Sequence, residues 1–327
     1  MQARELLSNC QLCPRSCGVN RYEKPGACGG GALARVAKVS LHPWEEPVIA
    51  GPETGKGAGT VFFSGCNLRC VFCQNYEISH YEKGREVTSE ELGEIFLHQQ
   101  AQGAATLDLV TPTHYVPQII QALAYAKERG FSLPVVYNSS GYESVSTIEL
   151  LEGSVDVYLP DLKYYASELS GAYSKAQDYF PAAAKAIKAM VQQVGRPVID
   201  ARGIMTRGVL VRHMVLPGAR HDSMKLLDWL WQIFGNDIYL SLMSQYTPMY
   251  KAGEYKNLKR RLTTFEYQSV TDYASELGFT QCFVQQRSSA TKAYVPDWQD
   301  DGLYRGGGHR TPRYKGNIYC IKGIFRV

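Results

Sequence analysis

The sequence has 327 residues, 45% of them apolar and 20% charged, which is the make-up of a globular chain and excludes a disordered, collagenous or coiled-coil protein. No stretch approaches the roughly 18 apolar residues of a membrane span, and the first ten residues lack the charged-then-apolar pattern of a signal peptide, so a cytoplasmic chain without a membrane partner is expected. The net charge of +4 hides a basic tail: residues 303–327 hold Arg305, Arg310, Arg313, Lys315, Lys322 and Arg326 and no acid, which reads as a solvated end rather than a nucleic-acid surface.

In chain order, the first feature is a set of four cysteines, Cys10, Cys13, Cys17 and Cys28. Clustered thiols without signs of export read as metal ligands, and four suffice for tetrahedral zinc or for an iron–sulfur cluster. Both remain open. The glycines and Pro14 between them allow tight turns, and a metal could staple a segment with too few apolar side chains to fold alone. Residues 51–57 imitate a phosphate-binding loop, but the glycine spacing is too short and no Ser or Thr follows Lys56; they read as a flexible connector.

Residues 60–64 read as a buried strand, Gly65 lets the chain turn, and Cys66, Cys70 and Cys73 follow in the string CNLRCVFC. Three thiolates on one tight loop leave one iron of a cluster without a protein ligand, and an open position is how a metal site admits a substrate or cofactor. Elements then alternate. Helical spacing covers 90–102, 116–129, 144–151, 174–194 (broken or begun near Pro181), 223–234 and 258–277; strands are expected at 105–110, 133–137, 155–159, 209–216, 238–243 and 282–286. The alternation predicts an α/β fold with a parallel sheet of six strands plus one more. The expected organisation is a Cys-rich segment over 1–50, an α/β unit over 51–290 and a basic tail over 291–327. Cys282 reads as a buried strand residue and Cys320 as part of the tail. Functional side chains in such folds gather at the C-terminal ends of the strands. The polar candidates there are Thr113, His114, Asn138, Ser140, Asp161, Lys163, Arg212 and Gln245.

CNLRCVFCQN after a strand resembles the signature of the radical S-adenosylmethionine (SAM) superfamily. The stretches CQLCPRSCGVNR, SLHPWEEPVI, VYLPDLKYY, VLVRHMVLPG and SLMSQYTP are similar to an uncharacterised branch related to pyruvate formate-lyase-activating enzymes. The resemblance implies a partial (β/α)6 TIM-like barrel open on one side, with a small metal-bound Cys-rich segment before it. It further implies a [4Fe–4S] cluster on Cys66, Cys70 and Cys73, whose fourth iron SAM chelates. It places Asp161 and Lys163 near SAM, Arg212 on the SAM carboxylate, Phe72 against the adenine, and Asn138 to Ser140 at the ribose. The implied activity is reductive cleavage of SAM to a 5′-deoxyadenosyl radical that abstracts a hydrogen atom, with a one-electron donor such as flavodoxin or ferredoxin. A protein or peptide substrate, as for the glycyl-radical activases, is the first expectation. The activases' Gly-Gly-Glu stretch is replaced here by 111–114, their glycine- and arginine-containing segment is only loosely echoed by 51–59, and they usually lack the four N-terminal cysteines. A small-molecule substrate in cofactor or metabolite biosynthesis is the alternative. A non-catalytic iron–sulfur or zinc protein that touches nucleic acid is a third reading.

Overall fold

Runs of β-branched and aromatic residues separated by helical spacing favour parallel strands, because each strand then needs a crossover that returns the chain to the same end. The computed structural model describes residues 3–52, 55–286, 298 and 301–302, and the backbone of 318–320. Its strands are β1 (Ala34–His42), β2 (Ala58–Phe63), β3 (Arg85–Val87), β4 (Leu107–Val110), β5 (Val135–Ser139), β6 (Val157–Pro160), β7 (Val198–Ile199), β8 (Met205–Met214), β9 (Tyr239–Met243), β10 (Cys282–Gln285) and β11 (Ile318–Cys320). The helices are α1 (Ala3–Ser8), α2 (Pro47–Ala50), α3 (Tyr76–Ser79), α4 (Ser89–Ala101), α5 (Val116–Lys127), α6 (Val145–Leu150), α7 (Ser167–Ser174), α8 (Tyr179–Val194), α9 (Arg220–Phe234) and α10 (Thr264–Leu277).

The strands join in one sheet of order β11-β10-β9-β8-β6-β5-β4-β2-β1-β3, with β7 paired to β8. From β2 to β10 every neighbour along this path is parallel, and helices cross over between them. Antiparallel strands extend both edges. No pairing among the described residues joins the two edges, so this α/β sheet is a partial barrel, open on one side.

Strand alternation separates two cores. Val135, Tyr137, Tyr158, Val209 and Val211 face the helices and belong to the larger cluster. Val136, Val157, Leu159 and Leu210 point the other way and form a smaller inner cluster with Val48 and Ile49 of α2. On α8, Ala183, Ala186, Ile187, Met190 and Val194 make the buried stripe that helical spacing requires.

The structure corrects several boundaries. A strand absent from the sequence reading, β1, lies inside the stretch assigned to the Cys-rich segment and pairs with β2. The helix expected over 174–194 begins at Tyr179, close to Pro181 as read: Ser174 is the last residue of α7, which is capped at Lys175, whose φ is 50°, and Pro181 sits in the first turn of α8, where a missing N–H costs nothing. The last helix starts at Thr264 and not near 258, because Thr263 and Glu266 form a reciprocal capping box that fixes its first turn. Cys282 is fully buried in β10, as expected. The six basic side chains of residues 303–327 and the side chain of Cys320 lie outside the described residues, as do Glu53 and Thr54 of the connector.

Candidate functional site

Following β2, the chain turns at Gly65, where φ is +89° and an added Cβ would lie 2.5 Å from the Cys28 carbonyl oxygen. Only glycine suits that approach. The turn sends Cys66, Cys70 and Cys73 to the rim of a cavity of about 240 Å³, which the C-terminal ends of the parallel strands also line. Two of the sulfurs receive buried hydroxyl groups: Ser174 Oγ lies 3.0 Å from Cys70 Sγ, and Ser79 Oγ lies 3.3 Å from Cys73 Sγ. The Leu68 amide donates to Cys66 Sγ at 3.4 Å. Burial pushes the Cys73 thiol up to about 12 and raises that of Cys66. These groups therefore become thiolates only against a cation.

Below the cysteines lies a polar layer. Asn138, Asp161 and Arg212 stand two residues beyond Val136, Leu159 and Leu210 on the same inward face. Arg212 is its hub: Nε donates to Asp161 at 3.0 Å, Nη1 to Glu45 at 3.2 Å, and Nη2 to Asn138 Oδ1 at 2.6 Å. Lys163 Nζ donates to the other Asp161 oxygen at 2.7 Å. Burial pushes the Asp161 carboxyl up, but the Lys163 and Arg212 charges outweigh it and hold the group below its ordinary range. Burial likewise opposes the Lys163 charge, and Asp161 more than restores it.

Two acids in this layer behave differently from Asp161. Burial pushes Glu46 up to about 7, with Arg212 opposing and Glu45 assisting. Burial and then Glu45 raise Asp108 well above the carboxylate range. Glu46 Oε2 and Asp108 Oδ1 are buried and accept no hydrogen bond among the described residues. Glu45 and Glu46 reach the cavity because the turn after β1 enters it, anchored by the burial of Val48 and Ile49.

Of the residues singled out from sequence, Cys66, Cys70, Cys73, Phe72, Asn138, Ser140, Asp161, Lys163, Arg212 and Gln245 all line this one cavity. Phe72 sits edge-on to Tyr164, Tyr173 and Tyr246. Thr113 and His114 are not brought there. They lie on a 3-10 turn whose side chains point away from the cavity. Thr113 donates to Glu143 at 2.7 Å, and His114 Nε2 pairs with the Ser64 carbonyl at 2.7 Å. Burial lowers the His114 imidazole to about 3, so it is a neutral structural group. The sequence reading missed Glu45, Glu46 and Asp108. Their signal was a charged pair ahead of a buried Val-Ile, and one acid inside the apolar strand LDLV.

The four N-terminal cysteines lie on the outer side of the same loop. Cys10 and Val19 pair through their backbones, and the Gly18 amide donates to Cys10 O, which brings Cys10 beside Cys17. Cys17 and Cys28 sulfurs flank Gly26, 3.6 and 3.5 Å from where its Cβ would be. Burial pushes the Cys13 thiol up to about 12, with Cys28 and Cys10 among the nearby charges. Among the described residues, no three His, Cys, Asp or Glu side chains are gathered as a single bound ion would need.

A family model described as the radical SAM superfamily matches residues 60–230. The chain belongs to the radical SAM superfamily. It is 29% identical over 286 residues to an uncharacterized protein of Methanocaldococcus jannaschii, covering 84% of this chain and 76% of that one. It is 31% identical over 120 residues to the pyruvate formate-lyase-activating enzyme of Clostridium pasteurianum, covering 34% of this chain and 48% of the enzyme. Thus the chain spans about half of that enzyme's length. Among solved structures it is similar to a radical SAM methyltransferase from Sphaerobacter thermophilus, at 16% identity and a TM-score of 0.49, over 69% of this chain and 66% of that one. Radical SAM membership implies a [4Fe–4S] cluster and SAM. The donor set fits both: three thiols on one rim with hydroxyl and amide donors at their sulfurs, facing a polar layer with one arginine and one lysine. Among the described residues, no helix is long and apolar enough to cross a membrane.

Proposed function

We propose that this chain is a radical SAM enzyme whose Cys66, Cys70 and Cys73 hold the cluster and whose polar layer holds SAM. The observation that carries this reading is the meeting of the three cysteines and the Asp161–Lys163–Arg212 set in one cavity. Together, a reduced cluster and SAM supply one-electron cleavage of the sulfonium that ends in removal of a hydrogen atom from a substrate C–H bond. The protein's part is to bind, orient and exclude water. Arg212 offers a planar fork to the SAM carboxylate, exchanging its present bonds to Glu45 and Asn138 for it. Asp161 fixes both cations. Phe72 offers an apolar surface to the adenine, while Ser140, Asn138 and Gln245 offer hydrogen bonds to the ribose and its neighbours. Burial raises the Glu46 and Asp108 carboxyls beneath, which limits negative charge in a dry site.

The first reading of the hydrogen donor is a protein or peptide, supported by the open sheet and by the similarity to an activating enzyme. A small molecule is the second, favoured by the modest cavity and by the turn of Glu45 and Glu46 that closes it from below. A one-electron carrier such as flavodoxin or ferredoxin in the cytoplasm completes the cycle, and Cys10, Cys13, Cys17 and Cys28 hold a second metal. Anaerobic reduction with SAM should yield 5′-deoxyadenosine from the wild type and none from the Cys66/Cys70/Cys73→Ala variant. Equal yields from both would sink the assignment. Deuterium appearing in that product from labelled peptide, and not from labelled metabolites, selects the first substrate reading; the reverse selects the second.

A further inference from the structure

The chemistry proposed above makes no use of the N-terminal cysteines, yet their segment braces the loop that carries the other three. Between Ser8 and Ala34 there is no helix or strand. The apolar support is one small cluster, Leu7, Cys10 and Leu12 with Leu6, Val19 and Leu150 at its edge. An irregular stretch of this length needs another staple to keep one shape.

What that shape does is visible in its contacts. The Cys28 carbonyl accepts the Cys66 amide at 3.0 Å. Arg15 donates to Asn67 O at 2.9 Å and to Ser174 O at 3.0 Å, and Ser174 is the residue whose hydroxyl meets Cys70 Sγ. Arg21 donates to the carbonyls of Gly30 and His114, and the His114 ring holds Ser64 O. The bracing thus reaches residues 64, 66 and 67 and the partner of Cys70. Within the segment, the Gly30 amide points at Cys28 Sγ at 3.4 Å, the amide-to-sulfur contact that supports a metal thiolate.

We propose that Cys10, Cys13, Cys17 and Cys28 form a tetrathiolate metal site whose role is to lock the loop of residues 64–73 in its cluster-binding shape, acting through the Cys28 carbonyl and Arg15. The proposal rests on Cys66, Cys70 and Cys73 being the cluster ligands. The shared ligand chemistry is a thiophilic metal: because no three of these side chains, all among the described residues, are gathered as a single ion needs, an iron–sulfur cluster, which holds its thiolates farther apart, suits the positions as they stand, and a zinc ion would have to draw the thiols together.

The test is metal analysis with electron paramagnetic resonance on the anaerobically purified full chain. The Cys66/Cys70/Cys73→Ala variant should keep a metal: zinc without sulfide identifies one source, iron with sulfide the other. Cys17 is exposed, so Cys17→Ala should fold, lose that metal, and lose most of the SAM-responsive cluster signal. Arg15→Gln removes no ligand; it should keep the N-terminal metal while a chelator strips iron from the cluster about tenfold faster. A metal-free Cys66/Cys70/Cys73→Ala variant overturns the proposal. So does a Cys17→Ala protein that has lost its N-terminal metal but keeps its SAM-responsive cluster unchanged. A wild type with no SAM-responsive cluster, but with metal on the N-terminal thiols, would instead sink the cluster assignment on which the proposal rests.

Discussion

Cys73 and Cys70 each meet a serine hydroxyl in a buried setting, so the cluster they are proposed to hold would have two neutral donors aimed at its thiolates. A donor at a thiolate stabilises the reduced, more negative state and raises the potential. Ser79 is the cleaner of the two to remove, because Ser174 is fully buried and also partners the buried Tyr164, whereas the second partner of Ser79 is only the half-buried neighbour His80. Ser79→Ala should lower the cluster potential by roughly 40 mV, the one-electron equivalent of about 1 kcal/mol. Potentiometric titration reads this directly, and an unchanged potential would mean that the hydroxyl bonds the neighbouring His80 instead. Arg212 carries a second test at this scale. Arg212→Lys keeps the charge but loses the fork, and SAM binding should weaken by about 1.5–3 kcal/mol in calorimetry. Unaltered binding would place the SAM carboxylate elsewhere.

At the level of elements, the last helix shows how a local signal fixes a boundary. Glu266 accepts from the Thr263 amide and hydroxyl, from the Gly218 amide at 2.7 Å, and from both Arg260 terminal nitrogens. One carboxylate thus caps α10 and ties it to the loop after β8, beside Leu216 of the cavity wall. Thr263→Ala should cost about 1 kcal/mol in urea unfolding, the usual loss for a cap. A cost near zero would show that Arg260 and Gly218 hold the helix start by themselves. This capping box was legible in Thr-x-x-Glu and went unread because apolar residues from Leu258 onward mimic helical spacing. The seven parallel strands were legible for the opposite reason: their apolar runs have no competing local chemistry. The strand β1 was missed because its alternation sat beside cysteines that drew the reading toward metal. The cysteine loop was readable from spacing alone. The acids Glu45, Glu46 and Asp108 of the polar layer were not, since they are far in sequence from Arg212, itself a candidate, and meet it only when strands and turn converge. His114 misled in the same way: a strand-end position predicts proximity to the site, whereas the 3-10 turn decides which way the ring faces.

Across the whole molecule, the sheet carries a buried acid on each face, and both weaken the fold as pH rises. Glu143 lies on the helix-facing side, where Thr113 and Tyr137 donate to its two oxygens at 2.7 and 3.2 Å. Burial pushes its carboxyl from 4.5 up to about 7, and its hydrogen-bond partners only partly offset this. Glu46 holds the corresponding place on the inner face, also near 7. A folded-state value above the unfolded one means that the folded chain binds the proton more tightly. Its contribution is complete below about pH 4.5 and is lost as pH climbs through about 7. For Glu143 the change between about pH 5 and about pH 8 is about 2 kcal/mol. Glu143→Gln keeps the shape, its amide oxygen accepting from one hydroxyl and its NH2 donating to the other, so it should remove that slope while Thr113 and Tyr137 stay satisfied. The measurement is urea unfolding of wild type and variant at both pH values. The wild type should lose about 2 kcal/mol more than the variant on going from acid to base. If the two lose stability equally, Glu143 is ionised in the folded chain at both values, and the hydroxyl donors alone compensate its burial.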